Sequence, residues 1–538
     1  MAQQPTRQPG QAEIQPLFNL LNHGQMPQAE AGAKSLLGKY PNAFILYNVL
    51  GVAQENQQKF EEAAVTYRKA LSLEPNIAEI HVNLGAVLGR LGQSDAAIDH
   101  YRKATQLNPR LPVAPFNLGI ILQEQGRLEE AVAAYRKAIA IEPGFYEALG
   151  NLGTILQRQG KLEEAVSTYR KALAIHQDAR GFFNLGTALR DEGKHQEAAD
   201  SYLKALSLDP NYADAHNNLG EIFRDRGNMD EAIKCYENAL AIAPNHPNAN
   251  YNLGEFHSLS KRYEEAIPYY ERSRFEDFQE RAMECLYKIE RYDEFREKLN
   301  AMVHSGRKSM MLATLSTHHA INFGVPDEYT FCPEPMRFAW HTNIPELAQP
   351  DSQLLQEVLE TIDRTPIAAR MQGRLYSGMQ SAGNLLKRPE PAFQKLAVLV
   401  KQKIAEYREH YANENCDLIR YFPREIDFSS SWYLKMKKGG NLGSHIHEEG
   451  WISGCVYLKL PTRDLGSTEA GFEYGTDGDR YPRKHDNFDS HIVVQQVGDI
   501  VLFPSSLFHR TIPFTADEER VCVAFDLKPD PSTKQSVA

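Results

Sequence analysis

Through its first half the chain repeats one pattern of apolar and polar positions. Leu50-Gly51, Leu84-Gly85, Leu118-Gly119, Leu152-Gly153, Leu185-Gly186, Leu219-Gly220 and Leu253-Gly254 recur at intervals of 34 residues, with one interval of 33. Each pair is followed by an alanine (Ala63, Ala97, Ala131, Ala165, Ala198, Ala232, Ala266) and then a tyrosine (Tyr67, Tyr101, Tyr135, Tyr169, Tyr202, Tyr236, Tyr270). Most units close near a proline: Pro75, Pro109, Pro143, Pro210 or Pro244. This spacing predicts stacked pairs of antiparallel helices. The small residues let the first helix approach the second, the tyrosine fills the space between neighbouring units, and proline stops the second helix because it lacks an amide donor.

Beyond the array the texture changes twice. A degenerate unit with Ala29 and Pro41 in register precedes the repeats as a cap, and the unit at His176-Gln177-Asp178 is one residue short, which predicts a local bend. After Arg272 the pattern decays, and Ala282 to Met302 reads as an amphipathic helical pair closing the far end. From Ser305 to Pro350 helical periodicity is lost among Gly324, Pro326, Pro333, Pro335 and Pro345, while Phe331, Phe338 and Trp340 imply packed structure. Gln353 to Ile362 and Pro391 to Tyr411 read as buttressing helices. From Ser429 onward short strands are predicted at Trp432 to Met436, Trp451 to Leu460, Ile492 to Gln496, Asp499 to Phe503 and Arg520 to Leu527, with turns at Lys438-Gly439-Gly440-Asn441 and Val497-Gly498.

The expected fold class is α + β and multidomain: an all-α superhelical solenoid followed by a jelly roll with flanking helices. The boundaries are an N-terminal segment at 1–12, the solenoid at 13–304, a linker at 305–330, a C-terminal domain at 331–529 with its β core at 429–528, and a tail at 530–538.

Composition narrows the classes of function. The formal net charge of -11 argues against a general nucleic-acid or anionic-membrane partner. No stretch is long and apolar enough to span a bilayer and the first ten residues lack the apolar core of a signal peptide, so a cytoplasmic protein is expected. The six cysteines contain no CxxC pair, which fits buried free thiols better than a disulfide framework or a zinc knuckle.

With its helical pairs, alanines and tyrosines, the first half resembles the tetratricopeptide repeat family. Asn83, Asn117, Asn151, Asn184, Asn218 and Asn252 each precede the Leu-Gly pair and would line one face. In this the repeats resemble the asparagine-bearing arrays of the protein O-GlcNAc transferases, which implies a ladder holding the backbone of an extended polypeptide. An amide offers a donor and an acceptor to any peptide unit, whatever its side chain. The alternative is that each asparagine satisfies backbone within its own repeat.

The candidate chemistry lies in the strand-rich part. His445-Ile446-His447 places two histidines on one face of a strand, and His509 stands at the end of a much later one, a pattern suited to holding a metal by one face with the opposite positions open. Arg520 follows on the next strand, where a guanidinium pairs bidentately with a carboxylate, and Tyr457 shares strand parity with Ser453 and Cys455. His445-Ile446-His447, Ser453-Gly454-Cys455-Val456-Tyr457-Leu458, Phe503-Pro504, His509 and Arg520 resemble, in order, the 2-oxoglutarate and iron(II)-dependent oxygenases. Met371-Gln372-Gly373-Arg374-Leu375-Tyr376 looks like an N-terminal element of the same group. The resemblance implies Fe(II) on His445 and His509, 2-oxoglutarate on Arg520 and Tyr457, dioxygen as oxidant, and hydroxylation of a protein or peptide presented by the repeats.

One departure stands out, because the wider superfamily usually carries Asp or Glu where His447 stands. Three arrangements remain open: His447 ligates, it leaves the position to water, or Glu448 or Glu449 swings in. Two other functions compete. One is a three-histidine dioxygenase of the cupin kind that needs no 2-oxoglutarate, and the other is a non-catalytic scaffold with an inactive oxygenase-like domain.

Overall fold

The computed structural model describes residues 8–365, 367, 369–370 and 374–528. The chain divides into two compact units, Met1–Ala249 and Asn250–Ala538. No helix among the described residues is long and apolar enough to cross a membrane.

The first unit is helical throughout, from Gln11–Asn22 to Met229–Ile242, with successive helices packed in antiparallel pairs. Its recurrent residues meet inside each unit. A Cβ added at Gly119 would lie 2.6 Å from the ring of Tyr135, and one at Gly153 would lie 2.7 Å from Tyr169. The tyrosine therefore fills the space over the glycine of its own unit, where the sequence had placed it between neighbours. Ala131 and Ala165 are fully buried at the same helix contact. In the short unit Asp178 caps the helix Ala179–Asp191 by accepting from the Gly181 amide at 2.7 Å.

The second unit opens with the helices Pro247–Leu259, Tyr263–Ser273, Phe278–Lys288, Tyr292–His304 and Met310–Phe323. The last falls within the expected linker, where the sequence shows no helical periodicity. Met310–Phe323 is buried along almost its whole length, and a helix covered on all sides carries no amphipathic stripe, so its period is invisible in the sequence. Gln353–Arg364 and Pro391–His410 follow as the two flanking helices.

Among the described residues ten strands form the sheet: β1 (Trp340–Asn343), β2 (Ala369–Arg370), β3 (Leu375–Ser381), β4 (Phe428–His445), β5 (Ile452–Lys459), β6 (Phe472–Gly475), β7 (Ser490–Val493), β8 (Asp499–Pro504), β9 (Phe508–Thr511) and β10 (Arg520–Leu527). Their order is β1-β8-β5-β10-β4-β9-β6-β7, with β3 also on β4 and all these ladders antiparallel. This is the jelly-roll topology, and β4 is its hinge. The strand pairs with β10 as far as Met436, then with β9 from Leu442 to His445. The expected turn at Lys438-Gly439-Gly440-Asn441 is instead the point where β4 changes partner without breaking, helped by the left-handed φ of Gly439 (76°). Val497-Gly498 does turn, delivering the chain into β8.

Candidate metal centre

His445 ends β4 and is the direct Cα partner of His509 near the start of β9. His447 lies two residues beyond the strand, where its amide donates to the carbonyl of Ser505 at 3.1 Å. The three side chains converge: one ring nitrogen from each lies within 4.8 Å of the others, and the Nε2 atoms of His445 and His447 are 3.2 Å apart. Strand parity predicted this convergence for His445 and His447, but the Ser505 contact delivers it after the strand has ended.

Each ring is held from behind. The Nδ1 of His445 faces the carbonyl of Gly443 at 2.8 Å, and that of His509 faces the carbonyl of Leu507 at 3.2 Å. The Nδ1 of His447 faces Asp526 Oδ1 at 2.6 Å. With an acceptor behind every Nδ1, the proton belongs there and the Nε2 lone pairs turn inward. Burial pushes the His445 imidazole down to about 3, helped by His447, and burial, with His445 and His447, also holds His509 well below the ordinary histidine range. Neutral imidazoles are the form that binds a metal.

Asp526 was not anticipated from the sequence. It lies on β10, opposite Ser453 on β5 and Ser430 on β4. Burial pushes its carboxyl up, but His447 and hydrogen bonds from His447, Ser453 and Ser430 outweigh that and hold it below the usual range. Glu448 turns away to Arg281, 2.5 Å distant, and Glu449 is exposed.

Behind the triad lies an apolar cavity of about 400 Å³ including open solvent, lined among others by Trp432, Leu434, His447, His509, Arg520 and Cys522. Arg520 is fully buried at its far side. Its partners are the Ala470 carbonyl (3.3 Å), the sulfurs of Cys522 (3.2 Å) and Met436 (4.0 Å), and the face of the Tyr457 ring (5.2 Å), none of them a carboxylate. Among the described residues the buried hydroxyl of Tyr457 meets no nitrogen or oxygen partner. A buried guanidinium that lines the cavity without a carboxylate partner among the described residues fits an anionic group that the protein itself does not supply.

A second cavity, of about 1080 Å³ including open solvent, adjoins His445 and is bounded by Leu259, Met311, Arg374, Glu448, Asp479 and Tyr481. The element Met371-Gln372-Gly373 that would flank Arg374 lies outside the described residues. His410, His485 and His491 take structural places, against Trp340, the Ile321 carbonyl and Tyr474 respectively.

The asparagines all sit on the first helix of their pair. Asn151 donates to the Tyr135 hydroxyl at 3.3 Å, Asn218 to that of Tyr202 at 3.4 Å, and Asn83 to the side-chain Oδ1 of Asn48 at 3.3 Å. Asn117 and Asn184 are half-buried on their helices, as is Asn252 in the second unit.

Residues 430–526 match the family described as Putative 2OG-Fe(II) oxygenase. Tetratricopeptide repeat families match residues 56–92, 78–111, 122–182, 186–224 and 211–274. No curated protein matches the chain. Similar solved structures include YrrB, described as a TPR protein with an unusual peptide-binding site, at 24% identity over 35% of this chain and 96% of that chain, with a TM-score of 0.32. Pseudomonas aeruginosa pilF matches at 22% identity over 39% and 97%, with a TM-score of 0.35. MamA from Desulfovibrio magneticus RS-1 matches at 20% identity over 31% and 94%, with a TM-score of 0.30.

Proposed function

The chain joins tetratricopeptide repeats to a 2OG-Fe(II) oxygenase domain, and from that premise we propose that it hydroxylates a side chain of a protein or peptide recruited by the concave groove of its repeats. His445, His447 and His509 hold Fe(II), and Arg520 with Tyr457 anchors the distal carboxylate of 2-oxoglutarate. When bound, the metal with dioxygen and 2-oxoglutarate would supply the oxidation that turns the cosubstrate into succinate and carbon dioxide and a C–H bond into an alcohol, one oxygen atom going to each product.

The observation that carries this reading is the pairing of an inward-facing histidine triad with a buried arginine that has no carboxylate partner. The protein's own part is positional. The Nδ1 acceptors fix the three rings, and the Arg520 guanidinium fixes one end of a dicarboxylate so that its other end lies toward the histidines. The apolar walls of the cavity exclude water from the space between. The cavity beside His445 receives the substrate side chain, and the asparagines hold its backbone by repeated bonds worth about 0.5–1.5 kcal/mol each. Six free, buried cysteines support a reducing, cytoplasmic setting.

The test is anaerobic titration of the full chain with Fe(II) and then 2-oxoglutarate. The expected result is a visible charge-transfer band that His509→Ala abolishes, and absence of both band and succinate formation would sink the reading. Incubation with a peptide library, read by mass spectrometry for one added oxygen, then tests the substrate class.

A further inference from the structure

We propose that Asp526 is the positioning residue that makes His447 a metal ligand, and that the His447–Asp526 pair gives the site the negative charge an acidic third ligand would carry. The inference rests on the metal-site reading above and concerns how the one unusual ligand is made to serve.

The three histidines are not held alike. His445 and His509 rest their Nδ1 atoms on neutral backbone carbonyls, of Gly443 and Leu507, whereas His447 rests on a carboxylate at 2.6 Å. His447 also stands outside any strand, so the ladder that aligns His445 with His509 does nothing to orient it. Its ring direction comes from the Asp526 contact, from Ser453 Oγ 3.0 Å from the same Nδ1, and from the Trp432 ring, whose centroid is 5.5 Å away.

Asp526 is itself fixed from both neighbouring strands. Its Oδ1 accepts from Ser453 Oγ at 2.7 Å as well as from His447, and its Oδ2 accepts from Ser430 Oγ at 3.0 Å. Ser505 Oγ lies 2.8 Å from Ser453 Oγ and extends the network to the loop that also holds the His447 amide. For Asp526 to ligate the metal directly it would have to abandon these donors. Held where it is, it keeps the proton on Nδ1, points the Nε2 lone pair at the other two histidines, and strengthens the imidazole as a donor. The Ser453 of the Ser-Gly-x-x-Tyr-Leu stretch thereby acquires a role, as the clamp on that carboxylate.

The experiment is Co(II) titration of the full chain, followed by its visible spectrum, for wild type, Asp526→Asn, His447→Ala and the double variant. A nitrogen-15 NMR assignment of the His447 tautomer in the metal-free wild type accompanies it. Asp526→Asn keeps the shape and removes the charge, and it is expected to weaken Co(II) about 10- to 100-fold, the range typical of such outer partners. In the His447→Ala background the same change is expected to cost nothing further, and His447 is expected as the Nδ1–H tautomer. Co(II) affinity within twofold of wild type, an equal loss in both backgrounds, or an Nε2–H tautomer would each overturn the proposal. Should Asp526→Asn not fold, Ser453→Ala replaces it: a several-fold loss supports the proposal and unchanged affinity overturns it. A wild-type chain that takes up no Co(II) defeats the metal-site reading itself, and that is seen before any variant is compared.

Discussion

The guanidinium of Arg520 lies over the ring of Tyr457, 5.2 Å from its centroid, with both residues buried and the tyrosine hydroxyl meeting no nitrogen or oxygen partner among the described residues. In the proposed reading both groups wait for one carboxylate of 2-oxoglutarate. A hydrogen bond to a charged group contributes about 1.5–3 kcal/mol, so Arg520→Gln is expected to raise the KM for 2-oxoglutarate roughly 10- to 100-fold and Tyr457→Phe less. Metal affinity should be nearly unchanged. Steady-state succinate release checks this, and an Arg520→Gln enzyme with wild-type turnover and no need of 2-oxoglutarate would favour the cupin-type alternative.

The asparagine ladder leads to a different measurement. Asn151 donates to Tyr135, whose own hydroxyl donates to Gln123 Oε1 at 3.1 Å, so Asn151→Ala leaves the tyrosine satisfied and should barely alter stability. Peptide affinity should fall by about 2- to 12-fold per rung removed, and Asn117→Ala with Asn151→Ala should multiply the two losses. Binding to an immobilised peptide array with melting as control decides between peptide capture and a purely internal role.

What the sequence revealed and what it hid have physical causes. The repeats were legible because every unit solves the same contact: Gly153 is small because Tyr169 occupies the space its Cβ would need, and that demand returns each 34 residues. The convergence of His445, His447 and His509 was legible because a shared strand face and a recurring residue type are written in the local sequence. Asp526 was not, because it sits in the run Arg520–Leu527, which reads as a buried strand, and its value depends on the register that sets it opposite Ser430 and Ser453. Register is set by partners distant in sequence. The same holds for β4, whose glycines read locally as a turn and serve as a bend only because β10 and β9 take successive halves of the strand.

Acid should loosen the N-terminal cap through one buried carboxylate. Glu30 accepts from Lys34 at 2.6 Å, from Lys59 at 2.8 Å and from Gln57 at 2.8 Å, and these bonds, that of Lys34 first, hold its carboxyl down to about 2 against an ordinary 4.5. A folded-state value below the unfolded one means the unfolded chain binds more protons between them, so the contribution is complete above about pH 4.5 and is lost as pH falls toward 2. Hydrogen exchange of residues 26–56 is expected to show protection falling over that window in wild type. In Glu30→Gln the protection should be lower at neutral pH and flatter with acid.

The last prediction concerns a residue that touches no ligand. A Cβ at Gly450 would lie 2.6 Å from Ser505 Oγ and 3.0 Å from Asp526 Oδ1, closer to the first than real Cβ atoms come. Something must shift. The two groups in the way are the ones that hold His447, one through its amide by way of the Ser505 backbone and the other through its Nδ1. Gly450→Ala is therefore expected to weaken Co(II) binding several-fold although all three histidines remain, since outer-partner losses run from about 10- to 100-fold when complete. Gly443→Ala supplies the control, because a Cβ there meets nothing closer than 3.6 Å, although the Gly443 carbonyl faces His445. If both alanines bind Co(II) as wild type does, the Asp526 network tolerates displacement and His447 is oriented by the metal itself. If only Gly450→Ala is impaired, the orientation is built into the protein before the metal arrives.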